Sequence, residues 1–165
     1  MSEKRTLLLL RHAKSSWDDP SLADHDRPLA PRGRKAAKRI GELLRDERTE
    51  ISLVLCSSAQ RAAETYELAR PPGELQVEPG LYGASAQQLL QRIRRVPDEV
   101  SSVMLIGHNP AIEDLALTLA ADPTGLEGEK FPTAALATLT VTGSWRALAP
   151  GQAALANFVK PRELD

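Results

Sequence analysis

The chain has 165 residues, 42% of them hydrophobic and 26% charged, with a formal net charge of −1. That length suits one domain, 1–165, whose single core needs neither metal nor disulfide. The near-neutral balance carries no footprint for nucleic acid or an anionic membrane, one cysteine excludes an internal disulfide, and no apolar run is long enough for a signal peptide or a bilayer span. A soluble, cytoplasmic protein is expected.

Leu7 to Leu10 form a short unbroken apolar run that predicts a fully buried, central, parallel strand. It stops at Arg11 and His12. A cation and a titratable ring straight after a buried strand lie at the carboxyl end of a sheet, where open α/β folds place ligands. Ser15 to Pro31 reads as a polar loop long enough to be functional. Residues 32–46 predict the first helix, with Ala36, Ile40, Leu43 and Leu44 inward and Arg32, Arg34, Lys35, Lys38 and Arg39 on a solvated face.

Ile51 to Cys56 predicts a second buried strand, with Cys56 a small buried hydrophobe rather than a reactive thiol. Ala59 to Ala69 predicts a helix capped by Ser58, and Arg61 falls in its first turn, where the helix dipole disfavours a cation. Local inconsistencies of that kind accompany functional sites. Leu75 to Val77 is a short third strand. Ala86 to Val96 is a third helix with Leu89, Leu90 and Ile93 inward. Ser102 to Ile106 is a fourth strand that runs into Gly107, His108, Asn109 and Pro110, and Pro110 suits the first turn of a helix that buries Ile112, Leu115, Ala116 and Leu119. Ala135 to Thr142, Trp145 to Leu148 and Ala153 to Val159 predict strands paired antiparallel at one side. The order is that of an α/β three-layer α/β/α sandwich, with a mostly parallel central sheet and an antiparallel edge.

Three of the parallel strands therefore lead into Arg11 and His12, Arg61, and His108. Parallel strands put their carboxyl ends on one side, so two arginines and two histidines can converge there. Such a set suits a phosphoryl dianion, because charge-assisted bonds to its oxygens are strong and directional. His12 can attack phosphorus and form a phosphohistidine, which water then cleaves. Arg11 and Arg61 would hold the non-bridging oxygens and His108 would stabilise them. The three histidines lack metal-ligand spacing and have no clustered Cys or carboxylate partners, so neither a metal nor a cofactor is expected.

LLLLRHAKS, SSAQRAAET and LIGHNP, in this order and each after a strand, resemble the motifs of the histidine phosphatase superfamily, the phosphoglycerate mutase-like group. RHAKSSW followed by DHDRPLAPRG is most similar to its small SixA-type phosphohistidine phosphatases. The resemblance implies that Arg11, His12, Arg61 and His108 form the pocket, with His12 phosphorylated. It also implies that Arg27 approaches the phosphate; the residues alone equally allow a loop ion pair from Arg27 to Asp24 or Asp26. Ser15, Arg27 and Asn109 are the expected substrate-binding residues, Asn109 and Pro110 shaping the turn that presents His108. Relatives usually have Gly where this chain has Ala13, a small departure. They also often supply a carboxylate acid after the third strand. Here Glu78 and Tyr82 occupy that region and Asp18 follows the nucleophile, and none is singled out. His25 reads as a loop residue, and Trp17 as loop packing or a wall of the entrance.

The expected activity is metal-independent hydrolysis of a phosphorylated protein or small molecule through phosphorylated His12, with phosphohistidine the first substrate class. General phosphomonoester hydrolysis and non-catalytic phosphate binding are the alternatives.

Overall fold

The computed structural model describes residues 3–128 and 130–164. Its elements are β1 (Lys4–Arg11), α1 (Pro31–Asp46), β2 (Leu53–Ser57), α2 (Gln60–Ala69), β3 (Glu74–Glu78), α3 (Ala86–Arg94), β4 (Ser102–Gly107), α4 (Ala111–Leu119), β5 (Leu136–Thr142) and β6 (Ala153–Val159). The strands form one sheet in the order β3-β2-β4-β1-β5-β6. The first four are parallel; β5 pairs antiparallel with both β1 and β6.

The layers follow from the two-residue period of the strands. Leu8 and Leu10 of β1, with Val54, Cys56, Met104 and Ile106, pack beneath Ala37, Ile40 and Leu44 of α1 and Ala62 of α2. Leu7 and Leu9, with Leu53, Leu55, Val103 and Leu105, pack against Leu89 and Ile93 of α3 and Ile112 and Leu115 of α4. Burying one such leucine is worth about 1.5–3 kcal/mol. The chain passes β1 to β2 to β3 in one direction across the sheet and returns to β4. Right-handed crossovers therefore place α1 and α2 on one face and α3 on the other.

Register then aligns the carboxyl ends. Arg11 is level with Gly107 and Cys56 with Ile106, so the residues after β1, β2 and β4 meet at one edge. The loop after β1 folds back on itself: Ser15 bridges Leu29, and the Ala30 N–H donates to Lys14 O at 2.9 Å. It carries a short 3₁₀ turn at Asp24–Asp26. Glu64 of α2 accepts from the Leu29 N–H at 3.3 Å and pairs with Arg34, which anchors the return.

Several expectations change. Trp145–Leu148 is not a strand: Trp145–Ala147 is a 3₁₀ turn, Ser144 accepts from the Ala147 N–H, and the fully buried indole donates to Val100 O at 2.7 Å. Ser58 does not cap α2. The residue before the helix is Ala59, the Ser57 hydroxyl accepts the Ala59 N–H, and the Ser58 hydroxyl meets His25. The buried stripe of α1 is Gly33, Ala37, Ile40, Gly41 and Leu44, while Ala36 and Leu43 are only partly covered. The glycines permit the fit: a Cβ on Gly33 would lie 2.1 Å from Lys14 O, and one on Gly41 2.3 Å from Ala69 O. β1 begins three residues before the expected run, at Lys4, and the other strand and helix ends differ from expectation by at most two residues. Among the described residues no helix is long and apolar enough to cross a membrane.

Candidate active site

The four predicted side chains come together at that edge. His12 follows β1 directly, and its N–H donates to Gly107 O of β4 at 3.0 Å. Its ring is 5.0 Å, centroid to centroid, from that of His108. Arg61 leaves the first turn of α2 and points its Nε at His12 Nε2, 3.4 Å away. Arg11, His12 and Arg61 line one cleft of about 270 Å³ with Lys14, Ser15, Trp17, Arg27 and Thr133. His12 and Arg61 are each only 7% exposed.

The tautomer of His12 follows from its partners. Nδ1 lies 2.7 Å from Ala13 O, and a carbonyl oxygen only accepts, so Nδ1 carries the proton. Nε2 is left bare and accepts from Arg61. Burial, partly offset by that carbonyl, pushes the pKa of His12 down to about 3, and His108, Arg61 and Arg11 push the same way. His108 is lowered to about 4, by burial and then by Arg61. Both rings are neutral at pH 7. His108 Nε2 is 2.8 Å from the Ser57 hydroxyl at the end of β2. Among the described residues, His108 Nδ1 and Arg11 Nε are buried without a hydrogen-bond partner. Unsatisfied buried polar atoms are uncommon, and here two of them belong to the converging set. Arg11 Nη1 donates to Phe131 O at 3.0 Å. Thr65, one turn after Arg61, accepts from the Ala13 N–H at 2.9 Å and donates to Arg61 O at 2.7 Å, which ties the backbone after the histidine to α2.

Arg27 forms the expected loop ion pair with Asp24 and also lines the cleft. Its Nη1 meets Asp24 Oδ1 at 3.0 Å, its Nη2 donates to Ser15 Oγ at 2.5 Å, and its guanidinium lines the cleft. Trp17 is 77% exposed and stacks on that guanidinium, 3.2 Å from it, so it packs against the loop and also walls the entrance. Asn109, like His108, is not among the residues that line the cleft. Its amide donates to Phe131 O at 3.0 Å and its carbonyl accepts the Glu113 N–H at 3.2 Å, so it shapes the turn after β4. The acid candidates are also placed elsewhere. Glu78 forms two 2.7 Å bonds with Arg92 of α3, and Asp18 is exposed on the loop. His25 is at the rim, 2.9 Å from Ser58 Oγ and edge-on to Tyr82.

Asp24 is a carboxylate in direct contact with the set. It accepts from Arg61 Nη2 at 3.0 Å and from the Tyr82 hydroxyl at 2.6 Å. Its pKa is held well below the usual carboxylate range, first by that hydroxyl and then by Arg61 and Arg27. Sequence reading weighed Asp24 only as a partner for Arg27; nothing local marks its reach to Arg61, 37 positions away. Thr65 was not singled out, although its place four residues after Arg61, in SSAQRAAET, was a signal for it. Lys14 and Thr133 carried no signal. Burial pushes the Cys56 thiol up to about 12, in keeping with a packing role.

These features assemble a cationic cleft around a bare imidazole nitrogen at the carboxyl edge of an α/β sheet. A family model described as histidine phosphatase superfamily (branch 1) matches residues 7–82. Protein Rv1276c of Mycobacterium tuberculosis, described as uncharacterized, is 41% identical over 159 residues, 93% of this chain and 100% of the relative. The SixA structure from Nakamurella multipartitia superposes with a TM-score of 0.86 at 29% identity, covering 96% of this chain and 97% of the other. That of Agrobacterium tumefaciens gives 0.82 at 31%, covering 95% and 98%. The chain belongs to the histidine phosphatase superfamily, in its SixA-type branch. Family and neighbours together support phosphatase activity.

Proposed function

We propose that the protein hydrolyses phosphohistidine through a covalent intermediate on His12. The observation that supports this most is the bare Nε2 of His12, held by the Nδ1–H to Ala13 O contact and facing Arg61. A ring fixed in that tautomer and neutral at pH 7 is a competent nucleophile. In the first step the Nε2 lone pair bonds to phosphorus and the bond to the leaving group breaks, the electron pair departing with that group, whose ring takes up a proton from solvent and leaves as neutral imidazole. In the second, water attacks phosphorus, the P–Nε2 bond breaks, and inorganic phosphate leaves. Arg11, Arg61 and His108 surround the non-bridging oxygens and stabilise the charge that they carry in the transition state. Arg27 and Ser15 hold the outer side of the phosphoryl group.

Among the described residues, neither Glu78 nor Asp24 stands ready to protonate a leaving oxygen. Glu78 is engaged with Arg92, and Asp24 is held ionised. A P–N bond, whose imidazole leaves without strong acid help, suits such a site better than an alkyl ester. Both SixA neighbours are named for phosphohistidine phosphatase activity, which favours the same substrate class.

The test is a substrate panel with wild type and His12→Ala: a phosphohistidine-bearing protein, p-nitrophenyl phosphate and an alkyl phosphate. The expected result is fastest turnover of the phosphohistidine protein, an acid-labile phosphoenzyme on rapid quenching, and loss of both in the variant. Faster turnover of the alkyl phosphate would overturn the substrate assignment. An undiminished His12→Ala enzyme would overturn the mechanism.

A further inference from the structure

Arg32, Arg34, Lys35 and Lys38 of α1 are exposed, as expected, and Arg39 is half-buried. Arg32, Lys35 and Arg39 rise at positions i, i+3 and i+7 on one face and wall a groove of about 590 Å³. Lys14 and Lys130 line it as well, and Lys160 and Arg162 close it at the C-terminal side. Seven of the 21 lysines and arginines of a chain with net charge −1 therefore surround one cavity. No carboxylate lines it among the described residues. Arg39 and Lys160 also pair with Glu42 and Glu163. Lys14 and Thr133 border both this groove and the cleft that holds His12, so the two cavities abut.

We propose that this groove docks an acidic segment of the phosphorylated protein substrate, beside the phosphorylated side chain; the inference rests on the phosphatase reading above. The form of the groove favours a peptide over a compact polyphosphate. Sites built for phosphate use short, fixed donors such as backbone N–H groups and clamped guanidinium forks. Here Lys14, Arg32, Lys35, Lys130 and Arg162 are exposed, flexible side chains. The cations of α1 also spread over roughly 10 Å of helix axis. Acidic groups on alternate residues of an extended chain stand about 7 Å apart, so two of them fall within that spread. Ala36, Pro132 and Pro161 supply apolar wall between the charges. Exposed charge of one sign steers a complementary surface and sets its register.

The probe is a fluorescein-labelled peptide in which glutamate alternates with serine, followed by anisotropy with wild type and with Arg32→Glu/Lys35→Glu. Both positions are exposed on a helix, and p-nitrophenyl phosphate, which fills only the His12 cleft, reports that the variant is folded. Wild type is expected to bind the peptide, and affinity to fall at least ~10-fold in the variant and with rising salt. No peptide binding by wild type, or equal binding by both, overturns the proposal. So does binding of tripolyphosphate that the peptide fails to compete. Kinetics with a phosphohistidine protein separate the two readings. A KM unchanged by the charge reversal sinks the groove alone. Absence of turnover, with the peptide still bound in the groove, sinks the substrate assignment alone.

Discussion

Asp24 Oδ2 lies 3.0 Å from Arg61 Nη2, on the same guanidinium whose Nε faces His12 Nε2. One arginine is thus shared between a carboxylate and the proposed nucleophile. An incoming phosphoryl group competes with that carboxylate for Arg61 and Arg27. Asp24→Asn keeps an acceptor in place and removes the charge. We expect inorganic phosphate to inhibit the variant more tightly, by ~3- to 10-fold, since a half-exposed charge at this range is partly screened. Inhibition constants for phosphate in wild type and variant check this; weaker inhibition would mean that Asp24 acts chiefly by orienting the arginines.

Glu78→Gln and Asp18→Asn test whether either expected acid takes part. Glu78 is committed to Arg92, and Asp18 stands on the exposed loop. Both variants are expected to turn over an alkyl phosphate, whose alkoxide must be protonated to leave, within about twofold of wild type, whereas loss of a working general acid costs about 100-fold or more. A large loss in either restores that residue as the acid.

The two buried histidines make stability depend on pH. Their folded values, about 3 for His12 and about 4 for His108, lie below the unfolded value near 6.5. Between those limits the unfolded chain binds more protons than the folded one. Stability is therefore full above about pH 6.5 and declines as pH falls toward 3. Thermal midpoints measured from about pH 7 to about pH 4.5 should drop more steeply in wild type than in His12→Gln/His108→Gln. Equal slopes would show that the rings titrate normally.

Gly33→Ala should destabilise, against the usual order of helix propensities. Alanine ordinarily gains about 1 kcal/mol over glycine inside a helix. Here the new Cβ would meet Lys14 O at 2.1 Å, a backbone atom that cannot swing aside. We expect a net loss of about 2 kcal/mol in urea titrations, in the range of overpacked cores. Turnover should fall as well, because Lys14 stands two residues after His12 and lines the cleft. A neutral or stabilised variant would place the helix further from the loop than the structure has it.

Much of this molecule was legible in one dimension because periodicity and strand ends are local. LLLL and VMLI marked the centre of the sheet, and the polar residues that stop each run marked its carboxyl edge. Arg11, His12, Arg61 and His108 could be grouped because parallel strands share one direction. Trp145 was misread because β and 3₁₀ segments of three residues have no period of their own. Its place depends on an indole hydrogen bond to Val100, 45 positions away.

The amino-acid order by itself determined the layers, the family motifs and which four side chains reach the edge. Only the folded chain decided which nitrogen of His12 is bare, that Asp24 rather than Glu78 or Asp18 reaches the arginines, and that the basic face of α1 walls a groove next to the cleft. The reason is reach: strand and helix patterns repeat within a few residues, whereas a hydrogen-bond partner is chosen by whatever the crossovers and the returning loop bring within 3 Å.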